Sequence, residues 1–378
     1  MTLRIAMLGT RGLPATFGGI EHHVEQVGRR LVERGHQVTV YSERGYSGRT
    51  ENGSHLGMSV VQVPSVHSRS LEALTHAAVS TAAALRAGHD VMHYHAVGPG
   101  VMAPIPRVLS RAAVVQTIHG LDAERDKWGR GARALLRGAT WMSARVPHQT
   151  VTVSAALAEH YATRYDRAAV HIANGITARP ARTPELISAK HGLGVRDYLL
   201  FVGRLVPEKR PDLLLRAFRR VETDLRLAIV GGSSYTDGYV EELQALARDD
   251  DRVVLTGYAF GDELDELFAN AALFVQPSAL EGLPLTLLEA IGSRLPVAVS
   301  DIPPHLEVVG RDRPGARVFA VDDEDALVAS ISAALRDLEA ERSESATVAA
   351  DVLGRFDWDR CAEELEQVYL AASARGRR

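Results

Sequence analysis

Cysteine is almost absent. The 378-residue chain holds one, Cys361, so no disulfide can close within it, which fits a reducing compartment. Long apolar runs are missing too: none approaches the ~18 to 20 residues of a membrane span. The opening Met1-Thr-Leu-Arg4-Ile5-Ala-Met-Leu8 goes straight into a strand-like pattern and lacks the shape of a secretion signal, so a cytoplasmic protein is expected. No repeat of solenoid length and no low-complexity tract interrupts the sequence. No Asp-x-Asp motif sits at a plausible strand end, because Asp249-Asp250-Asp251 falls in a helix-to-strand turn.

What remains is the composition of an ordinary globular protein, 46% apolar and 24% charged, at a length that suits two domains. Charge is distributed unevenly. Residues 1–180 carry 20 Lys and Arg against 12 Asp and Glu, a net of +8, while the remainder carries 23 against 35, a net of −12. A basic first half suits anionic lipid heads or phosphorylated acceptors; plain variation between two surfaces is the alternative. No nucleic-acid partner is expected.

Short apolar runs alternate with helix-period segments throughout, the pattern of parallel sheets covered on both faces. Runs at 5–8, 37–41, 60–63, 91–94, 114–118 and 150–153 read as strands of a first sheet. Runs at 198–202, 225–230, 253–255, 272–276 and 296–299 read as strands of a second. Two helical stretches follow over 323–353, and a final helix over 357–372. Four segments result: a first Rossmann-like domain at 1–178, a linker at 179–196 exposed around its prolines, a second domain at 197–356, and a C-terminal helix at 357–378.

One stretch organises the rest: Ser278-Ala-Leu-Glu281-Gly282-Leu-Pro284-Leu285-Thr286-Leu-Leu-Glu289-Ala. Pro284 suits a first helical turn, which puts Glu281 in the loop and Glu289 in the second turn. The N–H groups of Leu285 and Thr286 then lie at the positive helix end, where a diphosphate is welcome. Two carboxylates flanking an anion site suit a ligand with hydroxyls at both ends and phosphate between, which describes a nucleotide-sugar. Arg204 leaves the strand 198–202 and Lys209 precedes a helix, so both are placed to neutralise a phosphate-rich leaving group. Gly231 and Tyr258 end the next two strands, where a flat base or ribose would approach backbone.

In the first half, Gly18-Gly19-Ile20-Glu21 opens a helix carrying Ile20, Val24, Val27 and Leu31 on one face. The glycine pair permits close approach of a phosphate or sugar, although its spacing matches neither Walker A nor the dinucleotide fingerprint. His119, in Thr117-Ile118-His119-Gly120-Leu121-Asp122, stands beyond a strand's carboxyl end, where open α/β sheets bind ligands. An ordinary hydrogen-bonded loop histidine is the alternative, and it suits His93 and His95, on the neighbouring strand, better still. The segment 124–141 sets Arg125, Arg130, Arg133 and Arg137 beside Trp128 and Trp141, a face suited either to an anionic membrane surface or to plain solvation.

Taken together, Gly18-Gly19-Ile20-Glu21, His119-Gly120, Asn174-Gly175-Ile176, Gly203-Arg204 with Glu208-Lys209, and Glu281-Gly-Leu-Pro to Glu289-Ala resemble the retaining glycosyltransferases of family 4. They arrive in that family's order and cover nearly the whole chain. The opening Gly9-Thr-Arg-Gly-Leu-Pro through Glu21 is similar to bacterial rhamnosyltransferase-like enzymes of polysaccharide assembly. The resemblance implies a GT-B fold: two Rossmann-like domains facing across a cleft, with the C-terminal helix crossing back to the first. It implies that Arg204 and Lys209 hold the diphosphate, Glu281 the sugar hydroxyls with Gly282 and the amides of Leu285 and Thr286 assisting, and Glu289 the ribose. His119 would contact the transferring sugar, Gly18-Gly19 would close over the phosphates, and Glu21 and Asp122 would lie on the acceptor side. Transfer would need neither metal nor cofactor. Leu283-Pro284 replaces the frequent Phe-Gly, and Pro303-Pro304 occupies a stretch often rich in glycine. The implied activity is retaining transfer from a nucleoside-diphosphate sugar to a glycan or lipid-linked acceptor. A small soluble acceptor, a sugar-nucleotide epimerase and a noncatalytic nucleotide-sugar sensor are the alternatives.

Overall fold

The computed structural model describes residues 1–16, 18–48, 51–66, 72–121, 130–177, 179–233 and 236–376. The chain forms two compact units, one of Met1–Gly175 with Asp357–Arg378 and one of Ile176–Phe356.

The first unit is built on eight strands in the order β3-β4-β2-β1-β5-β6-β7-β8. They are β1 Arg4–Leu8, β2 Gln37–Glu43, β3 Gly53–His55, β4 Met58–Val63, β5 Val91–His95, β6 Ala113–Ile118, β7 Gln149–Thr152 and β8 Val170–His171. All neighbours run parallel except the β3–β4 hairpin. Ile5, Ala6, Met7 and Leu8 are all fully buried, as a strand covered on both faces requires. The order reverses at β1, which pairs with β2 on one side and β5 on the other, so the carboxyl ends of β1 and β5 flank a topological switch point.

Helices α1 Gly19–Glu33, α2 Glu72–Ala87, α3 Pro104–Leu109, α4 Arg130–Arg145 and α5 Ala155–Tyr165 connect these strands. In α1, Val24, Val27 and Leu31 are buried at the three- and four-residue steps of one helical face. The last helix of the chain, α14 Trp358–Gly376, packs on α1 and β6 and buries Trp358, Leu365 and Tyr369. Burying side chains of that size contributes about 1.5–3 kcal/mol each. The junction is tight: a Cβ on Gly175 would lie 2.2 Å from the Trp358 backbone nitrogen.

The second unit has six parallel strands ordered β11-β10-β9-β12-β13-β14. These are β9 Tyr198–Val202, β10 Arg226–Val230, β11 Val253–Gly257, β12 Leu273–Gln276, β13 Val297–Ser300 and β14 Ala316–Phe319. Its helices are α6 Leu186–His191, α7 Pro211–Arg219, α8 Asp237–Ala247, α9 Gly261–Asn270, α10 Leu285–Gly292, α11 Pro303–Val309, α12 Glu324–Arg336 and α13 Leu338–Leu353. Phe201, Leu214, Phe218, Ile229, Leu273, Val275 and Ile331 lie in one buried cluster.

The structure departs from the sequence reading in three places. The strands β3, β8 and β14 were not anticipated, being two to four residues long and only partly apolar. Pro303-Pro304 starts α11, where proline's missing N–H costs no helical bond. The segment 179–196, expected as a linker, is part of the second unit. Arg179 reaches Asp265 at 2.5 Å and Glu289 at 3.1 Å, with its guanidinium 5.0 Å from the Phe268 ring centre, and Asn270 Nδ2 donates to the Arg182 carbonyl. Partners some 80 to 110 positions away override the local signal of two prolines.

Candidate functional site

The second unit gathers its candidate residues at the carboxyl ends of β9, β10 and β12. Arg204 stands two residues beyond β9, and Lys209 ends a 3-10 turn, Pro207–Lys209. That turn is stitched to the Glu281 loop by backbone: the Ala279 and Leu280 N–H groups both donate to the Glu208 carbonyl. The stitching brings the Lys209 ammonium within 2.6 Å of Glu281 Oε1. Gln276 Nε2 and Ser278 Oγ donate to the same oxygen, each at 2.8 Å. Three donors therefore converge on Oε1, while Oε2 accepts none among the described residues.

Both partners of this pair are largely shielded, with side chains 13% and 11% exposed. Burial, the largest single effect, would raise the Glu281 carboxyl, but the Lys209 charge and the hydrogen bonds from Lys209 and Ser278 together override it and lower the group to about 2. Beneath the loop, Ser300 Oγ donates to the Ser278 carbonyl, and fully buried His305 places Nδ1 3.0 Å from the Ser300 carbonyl. Burial pushes the His305 ring down to about 4, so it is neutral at pH 7.

Helix α10 begins where expected, with Pro284 as its cap. Its first intrahelical bonds run from Leu287 and Leu288 N–H to the Pro284 carbonyl, so the Leu285 and Thr286 amides precede them at the positive end. Gly282 is buried beside that end. Glu289, expected at a ribose, faces Arg179 at 3.1 Å and is 13% exposed. Gly231 has a backbone reason to be glycine: at φ +143° a Cβ would sit 1.8 Å from the Gly203 carbonyl oxygen. Tyr258, just past β11, is 44% exposed, stacks near Phe260 at 5.9 Å and donates its hydroxyl to the Ser233 carbonyl at 2.7 Å.

In the first unit, Gly18 caps α1 at φ +90° and, with Gly19, is exposed. A Cβ on Gly18 would lie 2.5 Å from Glu21 Oε2. Glu21, assigned to the acceptor side from sequence, is turned inward: it is 7% exposed and accepts from the Arg11 N–H at 2.9 Å and the Thr10 hydroxyl at 3.3 Å. Burial raises its carboxyl, opposed in part by the Arg11 N–H. It shapes the loop after β1 rather than offering a solvated carboxylate. His119 follows β6 and meets His95 Nδ1 at 3.2 Å. His93 and His95 are fully buried on β5, and His93 holds Tyr369 and Thr117, each at 2.7 Å. Asp122 lies outside the described residues, as does 122–129 of the basic aromatic segment. The rest of that segment lies within α4, where Leu135 and Trp141 are 69% and 53% exposed.

Sequence reasoning missed Gln276 and Ser278 as partners of Glu281, Arg179 as the partner of Glu289, and His23. The first two stood within or beside the quoted motif, and their polar type at the end of a buried strand was the available signal.

This geometry, a cation and a carboxylate beside an amide-bearing helix end on a parallel sheet, agrees with comparisons to known proteins. Residues 17–179 match the model described as Glycosyltransferase Family 4, and residues 185–348 the model described as Glycosyl transferases group 1. The chain belongs to the family 4 glycosyltransferases. It is 27% identical to an uncharacterized glycosyltransferase of Methanocaldococcus jannaschii, over 98% of both chains. It is 28% identical to the GDP-mannose-dependent alpha-(1-6)-phosphatidylinositol monomannoside mannosyltransferase of Mycolicibacterium smegmatis, over 92% of each. The D-inositol 3-phosphate glycosyltransferase of Acidothermus cellulolyticus is 29% identical, over 99% of this chain and 91% of that one. Among solved structures, sucrose-phosphate synthase of Thermosynechococcus elongatus superposes with a TM-score of 0.82 at 20% identity, over 98% and 99% of the two chains. The Anabaena protein HepE with UDP and glucose gives 0.80 at 17%, over 98% and 100%. The fold of this glycosyltransferase is thus GT-B, with two parallel-sheet Rossmann-like units. Among the described residues no helix is long and apolar enough to cross a membrane.

Proposed function

We propose that this glycosyltransferase moves a sugar, with retention, from a nucleoside-diphosphate donor to a glycan or lipid-linked acceptor in cell-envelope or polysaccharide assembly. The observation that carries the reading is the Lys209–Glu281 contact beside the α10 amino end. Lys209 spends one of its three donors on Glu281 and keeps two for phosphate oxygens. Glu281 keeps Oε2 for sugar hydroxyls, and the amides of Leu285 and Thr286 face a pyrophosphate with Arg204. HepE, with UDP-glucose in its structure, supports a donor of this class.

In the proposed step the bond from the anomeric carbon to the diphosphate oxygen breaks. A new bond forms from the acceptor oxygen on the same face, and the acceptor proton passes to the departing diphosphate. Lys209, Arg204 and the helix end stabilise the charge that develops there, so the step requires no metal. Losing one such group costs about 100- to 1000-fold in rate.

The two kinds of relative favour different acceptors, a phosphatidylinositol mannoside in one case and inositol 3-phosphate in the other. A lipid-facing acceptor is favoured by the exposed Val108, Leu109, Leu135 and Trp141, which stand on α3 and α4 near exposed Arg107, Arg111, Arg137 and Arg145. A panel of UDP, GDP and dTDP sugars, read by nucleoside diphosphate release, tests the chemistry. No release with any donor over a broad acceptor panel refutes it. Sedimentation with anionic vesicles tests the acceptor: salt-sensitive binding is expected, and none would favour the soluble substrate.

A further inference from the structure

Three imidazoles of the first unit converge at the switch point of its sheet: His23 on α1, His95 ending β5, and His119 just beyond β6. One ring nitrogen from each lies within 4.8 Å of the other two. His95 Nδ1 and His119 Nε2 are 3.2 Å apart. Two nitrogens bound tetrahedrally to one ion at ~2.0–2.1 Å stand at nearly that separation, ~3.3 Å.

The remaining ring atoms fix which nitrogens can ligate. His23 Nδ1 lies 2.6 Å from Asn174 Oδ1, so it carries the proton and donates. Its Nε2 is left as a lone pair, buried, with no hydrogen-bond partner, on a residue 3% exposed. His95 Nε2 faces Met7 Sδ at 3.4 Å, a weak acceptor that suits an N–H and leaves Nδ1 as the donor of electrons. Metal-bound histidines characteristically hold their second nitrogen in this way. His93, tilted against His95 with ring centres 4.1 Å apart, is excluded as a ligand because Tyr369 and Thr117 occupy both its nitrogens.

A buried nitrogen without a partner is destabilising, and an ion at this point would offset that cost. We infer that His23 Nε2, His95 Nδ1 and His119 Nε2 form a binding site for a borderline transition ion such as Zn²⁺. Three neutral nitrogens without hard oxygen ligands select such an ion over Mg²⁺ or Ca²⁺ and leave a fourth position open. On binding, the proton that bridges His119 Nε2 to His95 Nδ1 moves to His119 Nδ1, and no redox change accompanies it. If His119 contacts the transferring sugar, as the proposed function has it, the ion sequesters that imidazole and inhibits transfer; this consequence rests on that reading, whereas the site itself does not.

The test uses the untagged full chain, stripped by a chelator and titrated with Co²⁺ under visible absorption. One equivalent per chain with tetrahedral d–d bands is expected, displaced by Zn²⁺ and indifferent to Mg²⁺. X-ray absorption of the Zn²⁺ form should show imidazole nitrogens at ~2.0 Å. His23→Gln should abolish the bands, with far-UV circular dichroism checking the fold, and His191→Gln in the second unit should keep them. Absent bands in the wild type overturn the inference, as do bands unchanged in folded His23→Gln. Zn²⁺ binding by a chain whose metal-stripped form is inert toward every donor would leave the site standing and sink the transferase reading. An active transferase that takes up no Co²⁺ on titration would do the reverse.

Discussion

Replacing Lys209 by Met should destabilise the second unit by about 3 kcal/mol at pH 7. The Glu281 carboxyl is lowered from 4.5 to about 2 in the fold, with the Lys209 charge the largest lowering effect, and at about 1.4 kcal/mol per pH unit that net shift corresponds to about 3–4 kcal/mol. Breaking a buried pair from one side costs about 3–5 kcal/mol, and a pair roughly an eighth exposed belongs near the lower bound. The double variant Lys209→Met/Glu281→Leu removes both charges and should recover most of the loss, a coupling of about 3 kcal/mol.

Acidity supplies a sign. In the wild type the depressed carboxyl contributes its full stability above its unfolded value of 4.5 and loses it as pH falls toward 2. In Lys209→Met the hydrogen bonds from Gln276 and Ser278 remain but the largest opposition to burial is gone, so the carboxyl rises and the variant's deficit should shrink when pH drops from 7 to 4. Urea unfolding by far-UV circular dichroism reads both units. Tryptophan fluorescence reads only the first, because 176–356 contains no tryptophan. The substitution should therefore move the dichroism transition and leave the fluorescence transition in place. A loss below about 1 kcal/mol, or additive single variants, would refute the argument. The same contact dictates how Glu281 is tested in catalysis: Glu281→Ala strands a shielded ammonium, so Glu281→Gln, which keeps the shape, is the better probe of transfer.

Three other outcomes follow from particular contacts. Gly231→Ala forces a Cβ against the Gly203 carbonyl at 1.8 Å with φ +143°, and a loss of about 1–3 kcal/mol or more is expected in the dichroism transition. Cys361 is 1% exposed and burial pushes its thiol up to about 12, so the folded protein should resist a thiol-specific disulfide reagent at pH 8 and react fully in urea. Tyr369→Phe leaves His93 Nδ1 without its 2.7 Å partner and should cost about 1–3 kcal/mol, this time in the fluorescence transition.

Most strands were legible because fully buried parallel strands write themselves as uninterrupted apolar runs: 198–202 reads off as β9 without error, and α10 begins one residue after Pro284. The Glu281 loop was legible for a related reason, since proline and a helix start fix the carboxylate's place locally. Its partnership with Lys209 was not, because 72 residues separate them and only folding sets them side by side. Glu289 and Arg179 form another such pair, and the solvated look of Thr177 to Pro184 concealed it. In the first unit, His93 and His95 two apart on a buried strand announce one shared face. His23 gave no such sign, since one histidine beside another at a helix start reads as surface.

The route of the backbone bears on synthesis. The first unit draws its last helix, α14, from the end of the chain, after 181 residues that belong to the other unit. On the ribosome the second unit can complete itself first, while the earlier-made sheet waits with the seats of Trp358 and Tyr369 empty. A premature stop after Phe356 would therefore injure the amino-terminal half, the part of the message farthest from the lesion.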